Sequence, residues 1–147
     1  MKKMKFTLLA VLAASGIALA CTGFSGGNEP WAKEQLMPPA ALADAINKGQ
    51  TEKLHIFDIG PSGQIKGALE IGEGRNKENL AKLKSALQDV PRNEAVVVYC
   101  GCCPFKNCPN IRPAFELLKE MQFTDPRLLD LSENLKVDWI DRGYPME

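Results

Sequence analysis

Val96-Val97-Val98-Tyr99-Cys100-Gly101-Cys102-Cys103-Pro104-Phe105-Lys106-Asn107-Cys108-Pro109-Asn110 runs directly into Ile111-Arg112-Pro113-Ala114-Phe115-Glu116-Leu117-Leu118. Residues 96–99 are β-branched or aromatic with no polar interruption, which suits a buried strand. Phe115, Leu117, Leu118 and Met121 mark the apolar face of the helix expected next. A cysteine therefore closes a strand and opens a turn that leads into a helix. A thiol at that joint meets backbone N–H groups and the positive end of a helix dipole, and both favour its anion. Cys100 is accordingly the candidate nucleophile.

Four of the chain's five cysteines lie in the nine positions from Cys100 to Cys108, a clustering that needs a chemical reason. Besides a nucleophile, such a cluster serves as a disulfide staple in an oxidising compartment, or as a knot of thiolates around a metal ion. The strand before it and the helix after it favour the nucleophile.

Working outward, the 147 residues fit one domain, long enough to bury a sheet between helices once a leader is set aside. Eighteen basic and eighteen acidic residues balance to a formal charge of zero, so nothing electrostatic argues for nucleic acid or an anionic membrane surface as partner. Upstream, Pro38-Pro39 opens a short helix over 40–48 that carries Leu42 and Ile46 on one face and stops at Gly49. Residues 54–59 form the first strand. His55, the only histidine, alternates with Leu54 and Ile56 and reads as a surface strand position rather than a ligand or base. Asp58 falls at the carboxyl end of that strand, where capping the next turn through backbone N–H groups is a commoner use than catalysis.

Gly60-Pro61-Ser62-Gly63 is a turn, and 68–71 a short strand. Asn76 caps a helix over 77–88 with Leu80, Leu83 and Leu87 inward and its lysines solvated. Downstream, Asn110 is the expected cap of the helix after the cysteine turn, where Pro113 is tolerated because the first turn has spare N–H groups. Residues 128–131 form another strand. A last helix over 133–141 is expected to bury Leu135, Val137, Trp139 and Ile140 and to end at Gly143. Strands alternating with helices predict an α/β domain with a mostly parallel sheet flanked by helices.

The amino terminus reads differently. Lys2, Lys3 and Lys5 precede an apolar run that closes on Ala18-Leu19-Ala20 before Cys21, the pattern of an export signal over residues 1–20. Cleavage after Ala20 fits the small-residue exit. Cys21 opens a second outcome, because a cysteine directly after such a leader is similar to the lipobox of bacterial lipoproteins, whose cysteine is lipidated. Localisation is thus exported, either periplasmic or membrane-anchored through that terminus alone. Residues 21–36 form a Gly- and Ser-rich tether and the lead-in to the domain, with Trp31 packing at the domain edge.

The order of elements and the residues at their joints resemble the rhodanese domain of the sulfurtransferases. Three stretches carry the resemblance: Asp58-Ile59 with Gly63-Gln64-Ile65-Lys66-Gly67-Ala68; Val97-Val98-Tyr99-Cys100 before a helix; and Leu131 through Trp139 to Gly143-Tyr144-Pro145. It runs from about Met37 to Met146, and the rhodanese-like domain is expected over 37–147. The resemblance implies a single rhodanese-like α/β fold and a catalytic Cys100 that accepts sulfane sulfur as a persulfide. Gly101, Cys102 and Cys103 would supply amides to the anionic sulfur, with Lys106 and Arg112 as the nearby positive charges. A small sulfur donor such as thiosulfate and a thiol acceptor are the implied partners, with no bound cofactor. The cysteine loop is several residues longer than is usual in the family. Gly60 and Gln64 also stand where the family has Arg and His, which leaves the donor open. Cys100 and Arg112 are too far apart in sequence for the tight anion cradle of the phosphatase and arsenate-reductase relatives.

Cys102, Cys103 and Cys108 exceed what a minimal rhodanese loop needs. One of them is expected to act as a resolving thiol, with Cys108 favoured for its reach across the turn, because a bond between the neighbours Cys102 and Cys103 would be strained. Such a cycle would draw on a periplasmic redox protein. Two alternatives stay open: a zinc or copper site on Cys100, Cys103 and Cys108 with or without Cys102, and a catalytically silent interaction domain.

Overall fold

The computed structural model describes residues 29–147, so the expected signal, Cys21 and most of the tether lie outside the described residues. Five strands form one sheet: β1 (Leu36–Met37), β2 (Leu54–Asp58), β3 (Ala68–Glu70), β4 (Ala95–Tyr99) and β5 (Asp125–Leu129). Their order across the sheet is β1-β5-β4-β2-β3, and every pairing between them is parallel. Four α-helices flank it: α1 (Pro39–Asn47), α2 (Lys77–Ala86), α3 (Ile111–Glu120) and α4 (Leu135–Asp138). The expected α/β domain is there, with a sheet that is parallel throughout.

β4 lies between β5 and β2, and Val96, Val97, Val98 and Tyr99 are all fully buried. Residues of one strand alternate between the two faces of a sheet, so this run feeds two cores. Val96 and Val98 join Phe57, Leu83, Leu87, Phe115 and Leu118 on the side of α2 and α3. Val97 and Tyr99 join Leu42, Ile56, Leu129, Leu135 and Trp139 on the other. Cys100 continues the alternation and belongs to the first core. That places its thiol beside α3.

Several expectations shift. β5 begins at Asp125 rather than 128, because Pro126, a residue that argues against a strand in sequence, takes its place in the ladder opposite Val96. The single last helix is instead α4, four residues long, followed by a 3-10 turn at Ile140–Arg142. The buried Asp138 carboxylate accepts the N–H groups of Glu133 and Asn134, and Trp139 leaves helical geometry at φ −131°, ψ −62°. Leu135 and Trp139 are buried as expected, whereas Val137 and Ile140 face solvent. Trp31 is not an edge residue: it is buried edge-on against Phe105 and Phe115, with the Arg112 guanidinium over its ring. No helix among the described residues is long and apolar enough to cross a membrane.

Candidate functional site

Cys100 is the first residue beyond β4, at the carboxyl edge of the sheet. The turn after it depends on glycine. Gly101 has φ +75°, and a Cβ there would lie 2.8 Å from Leu135 Cβ and 3.2 Å from Ser62 Cβ. Its carbonyl accepts the Leu135 N–H at 2.9 Å, and the Phe105 N–H donates to the Leu131 carbonyl at 3.1 Å, so the loop is pinned at two points. From across the sheet edge Gly60 closes in, where a Cβ would stand 2.2 Å from the Cys100 carbonyl oxygen and 2.6 Å from Sγ. The position where the resembled family carries an arginine therefore has room only for hydrogen.

The Cys100 side chain is buried but not sealed in apolar packing. Its Sγ lies 3.2 Å from Cys102 Sγ and accepts a hydrogen bond from Asn110 Nδ2 at 3.3 Å. The Cys108 thiol and the Cys102 backbone N–H complete its donors. Donation from Cys108 first, then from Asn110 and Cys102, outweighs burial and lowers the Cys100 thiol to about 5. Its partners shift the opposite way. Desolvation and the bond to Cys100 push Cys102 up to about 12, and donation to Cys100 together with burial raises Cys108 further still. At neutral pH one anion thus resides on Cys100, held by thiols that keep their protons.

Asn110 is the residue that sequence reasoning misassigned. It precedes α3 in αR geometry, φ −79° and ψ −29°, and its side chain makes no cap bond to the helix. The carboxamide is buried instead between two partners, its Oδ1 accepting the Arg75 N–H at 3.2 Å while Nδ2 faces the sulfur. Only its position at the end of the cysteine turn hinted at this. The thiolate consequently sits just before the amino end of a ten-residue helix, where the dipole favours negative charge.

The remaining expected site residues divide. Cys102 is exposed and Cys103 half-buried, with 3.4 Å between their sulfurs; Cys108 is buried. Lys106 is exposed and lies over the Phe105 ring at 5.9 Å, and Arg112 lies 5.3 Å from the Trp31 ring centre. Gln64 bonds the Ala68 carbonyl. Asp58 does cap its turn, accepting the Gly60 N–H at 2.9 Å, and burial raises its carboxyl to about 7 against the pull of that bond. His55 pairs with Glu94 at 2.7 Å, near the amino end of β2 and so at the opposite edge of the sheet from Cys100.

Three of the four loop thiols could share a ligand. The sulfurs of Cys100, Cys102 and Cys108 all lie within 4.8 Å of one another, close enough to serve one soft metal ion. Cys103 is outside that group, which narrows the ligand set expected from sequence. No family model matches this chain, and neither does any curated protein.

Proposed function

We propose that this protein is a rhodanese-like sulfurtransferase domain that carries sulfane sulfur as a persulfide on Cys100. The observation that carries the reading is the donor set around its sulfur: Cys108, Asn110 and the Cys102 amide converge on a thiolate at the carboxyl end of the central parallel strand. Such a thiolate attacks the outer sulfur of a persulfide or polysulfide donor. A new bond forms between Cys100 Sγ and the sulfane sulfur, the donor's S–S bond breaks, and the electron pair leaves with the donor's thiolate. The donors that stabilise the thiolate are available to the persulfide anion, which supports storage as well as attack. A thiol acceptor then collects the sulfur.

The wholly parallel α/β sheet is compatible with a rhodanese fold, and the lack of room at Gly60 fits a donor recognised without the family's arginine. Export, with the mature chain either free in the periplasm or held by a lipid on Cys21, belongs to the same proposal. Weighing the intact chain after treatment with thiosulfate, inorganic polysulfide or glutathione persulfide tests it. Wild type should gain one sulfur atom or release it as sulfide, and Cys100→Ser should do neither; a wild type that does neither with any donor overturns it.

A second reading rests on the three neighbouring sulfurs, which would hold a soft ion such as copper(I) or zinc. Elemental analysis of protein purified without chelator separates the two. Stoichiometric metal without persulfide formation favours the metal site.

A further inference from the structure

Cys100 is 1% exposed, yet a sulfur cycle has to end in contact with an acceptor. Among the thiols near it, Cys108 is equally buried and Cys102 is exposed. Gly101, in its left-handed turn, folds Cys102 back so that its sulfur stands 3.2 Å from Cys100 Sγ. A disulfide needs about 2.05 Å, so the two sulfurs have only about 1 Å to close. We propose that Cys102, rather than Cys108, is the resolving thiol: it displaces the sulfane sulfur from Cys100 as hydrosulfide and leaves a Cys100–Cys102 disulfide at the protein surface. This rests on persulfide formation at Cys100.

The step balances without an added oxidant. Cys100–S–S⁻ and Cys102–SH give Cys100–S–S–Cys102 and HS⁻. The Cys102 sulfur bonds to Cys100 Sγ, the bond from Sγ to the sulfane sulfur breaks, and its electron pair departs with the sulfane sulfur. The Cys102 proton goes with it. The sulfane sulfur is reduced at the expense of the two cysteines. Return to the starting state requires an external dithiol, which becomes a disulfide in turn. Exposure matters here as well, because that dithiol must reach a sulfur of the bond in line. A bond from Cys100 to Cys108 would join two buried sulfurs and offer it none. Cys108 keeps a different task, as a hydrogen-bond donor to the Cys100 anion.

The chain's own cleavage sites make the two pairings distinguishable. Trypsin cuts after Lys106, leaving Cys100, Cys102 and Cys103 on the peptide 93–106 and Cys108 on the next one. After inorganic polysulfide and alkylation of free thiols, wild type should release sulfide and yield peptide 93–106 lighter by two hydrogens, with no cross-link. Cys102→Ser should stop one sulfur atom heavier and lose sulfide release, whereas Cys108→Ser should still form the bond. A cross-link between the two peptides, or unchanged sulfide release in Cys102→Ser, overturns the assignment while leaving the persulfide reading intact. If neither wild type nor Cys102→Ser gains sulfur or releases sulfide, the persulfide reading itself fails.

Discussion

Asn110 Nδ2 points at Cys100 Sγ over 3.3 Å, and the same carboxamide is anchored at its other end by the Arg75 N–H. A donor held at both ends loses little freedom when it meets an anion, so the bond is pre-organised rather than formed on demand. Hydrogen bonds to charged groups contribute about 1.5–3 kcal/mol, which corresponds to roughly one to two pH units. Asn110→Ala should raise the Cys100 thiol by about that much, read from thiolate ultraviolet absorbance against pH. Asn110→Asp should raise it further, since a carboxylate repels the anion. An unmoved titration would mean that Asn110 serves only the loop.

Cys108 contributes the largest lowering effect on Cys100, so Cys108→Ala should raise the Cys100 thiol more than Asn110→Ala does. In wild type, the rate of sulfur uptake should be level well above about 5 and fall as acid protonates the thiolate through that point. In Cys108→Ala the fall should begin at higher pH. Rates of sulfur uptake by mass spectrometry across this range check both curves.

Asp58 predicts a pH dependence of stability. Its carboxyl holds a proton up to about 7 in the folded protein but only to 3.8 in the unfolded chain. Folding therefore takes up a proton between these values, and stability should decline as pH rises from near 3.8 through about 7. A shift of roughly three units bounds the decline at about 4 kcal/mol. Asp58→Asn preserves an acceptor for the Gly60 N–H and should flatten this part of the profile in urea unfolding. An equally steep decline in the variant would assign it to other groups.

Gly60 should tolerate no side chain. Its added Cβ would overlap both the carbonyl oxygen and the sulfur of Cys100, and backbone must shift to relieve it. Gly60→Ala is expected to lose about 1–3 kcal/mol or more by overpacking, and to disturb the thiolate titration as well. Gly49 is the contrast: it has φ +65° with nothing within 4 Å of an added Cβ. Gly49→Ala should lose about 1 kcal/mol through backbone strain and leave Cys100 unchanged. Thermal unfolding beside the absorbance titration distinguishes the two effects.

Much of the fold was legible because local patterns agreed with it. The 96–99 run suited a buried strand, and alternating strands and helices favoured a mostly parallel sheet with helical crossovers. The sequence misled where tertiary contacts overrode local signals. Pro126 concealed the start of β5, and the last helix stops early where the Trp139 backbone leaves helical geometry. Trp31 looked peripheral because its partners Phe105 and Phe115 are far along the chain.

For the site, sequence by itself determined that a cysteine follows a buried strand before a helix and that three more thiols follow within eight residues. Only the tertiary structure decided which of them reach it, because distance between side chains depends on how the turn folds and not on spacing. It brought Cys102 and Cys108 to the sulfur, left Cys103 beside Cys102, and converted an expected helix cap, Asn110, into a donor to the thiolate. It also pressed Gly60 against Cys100, a contact between residues forty positions apart that no local pattern encodes.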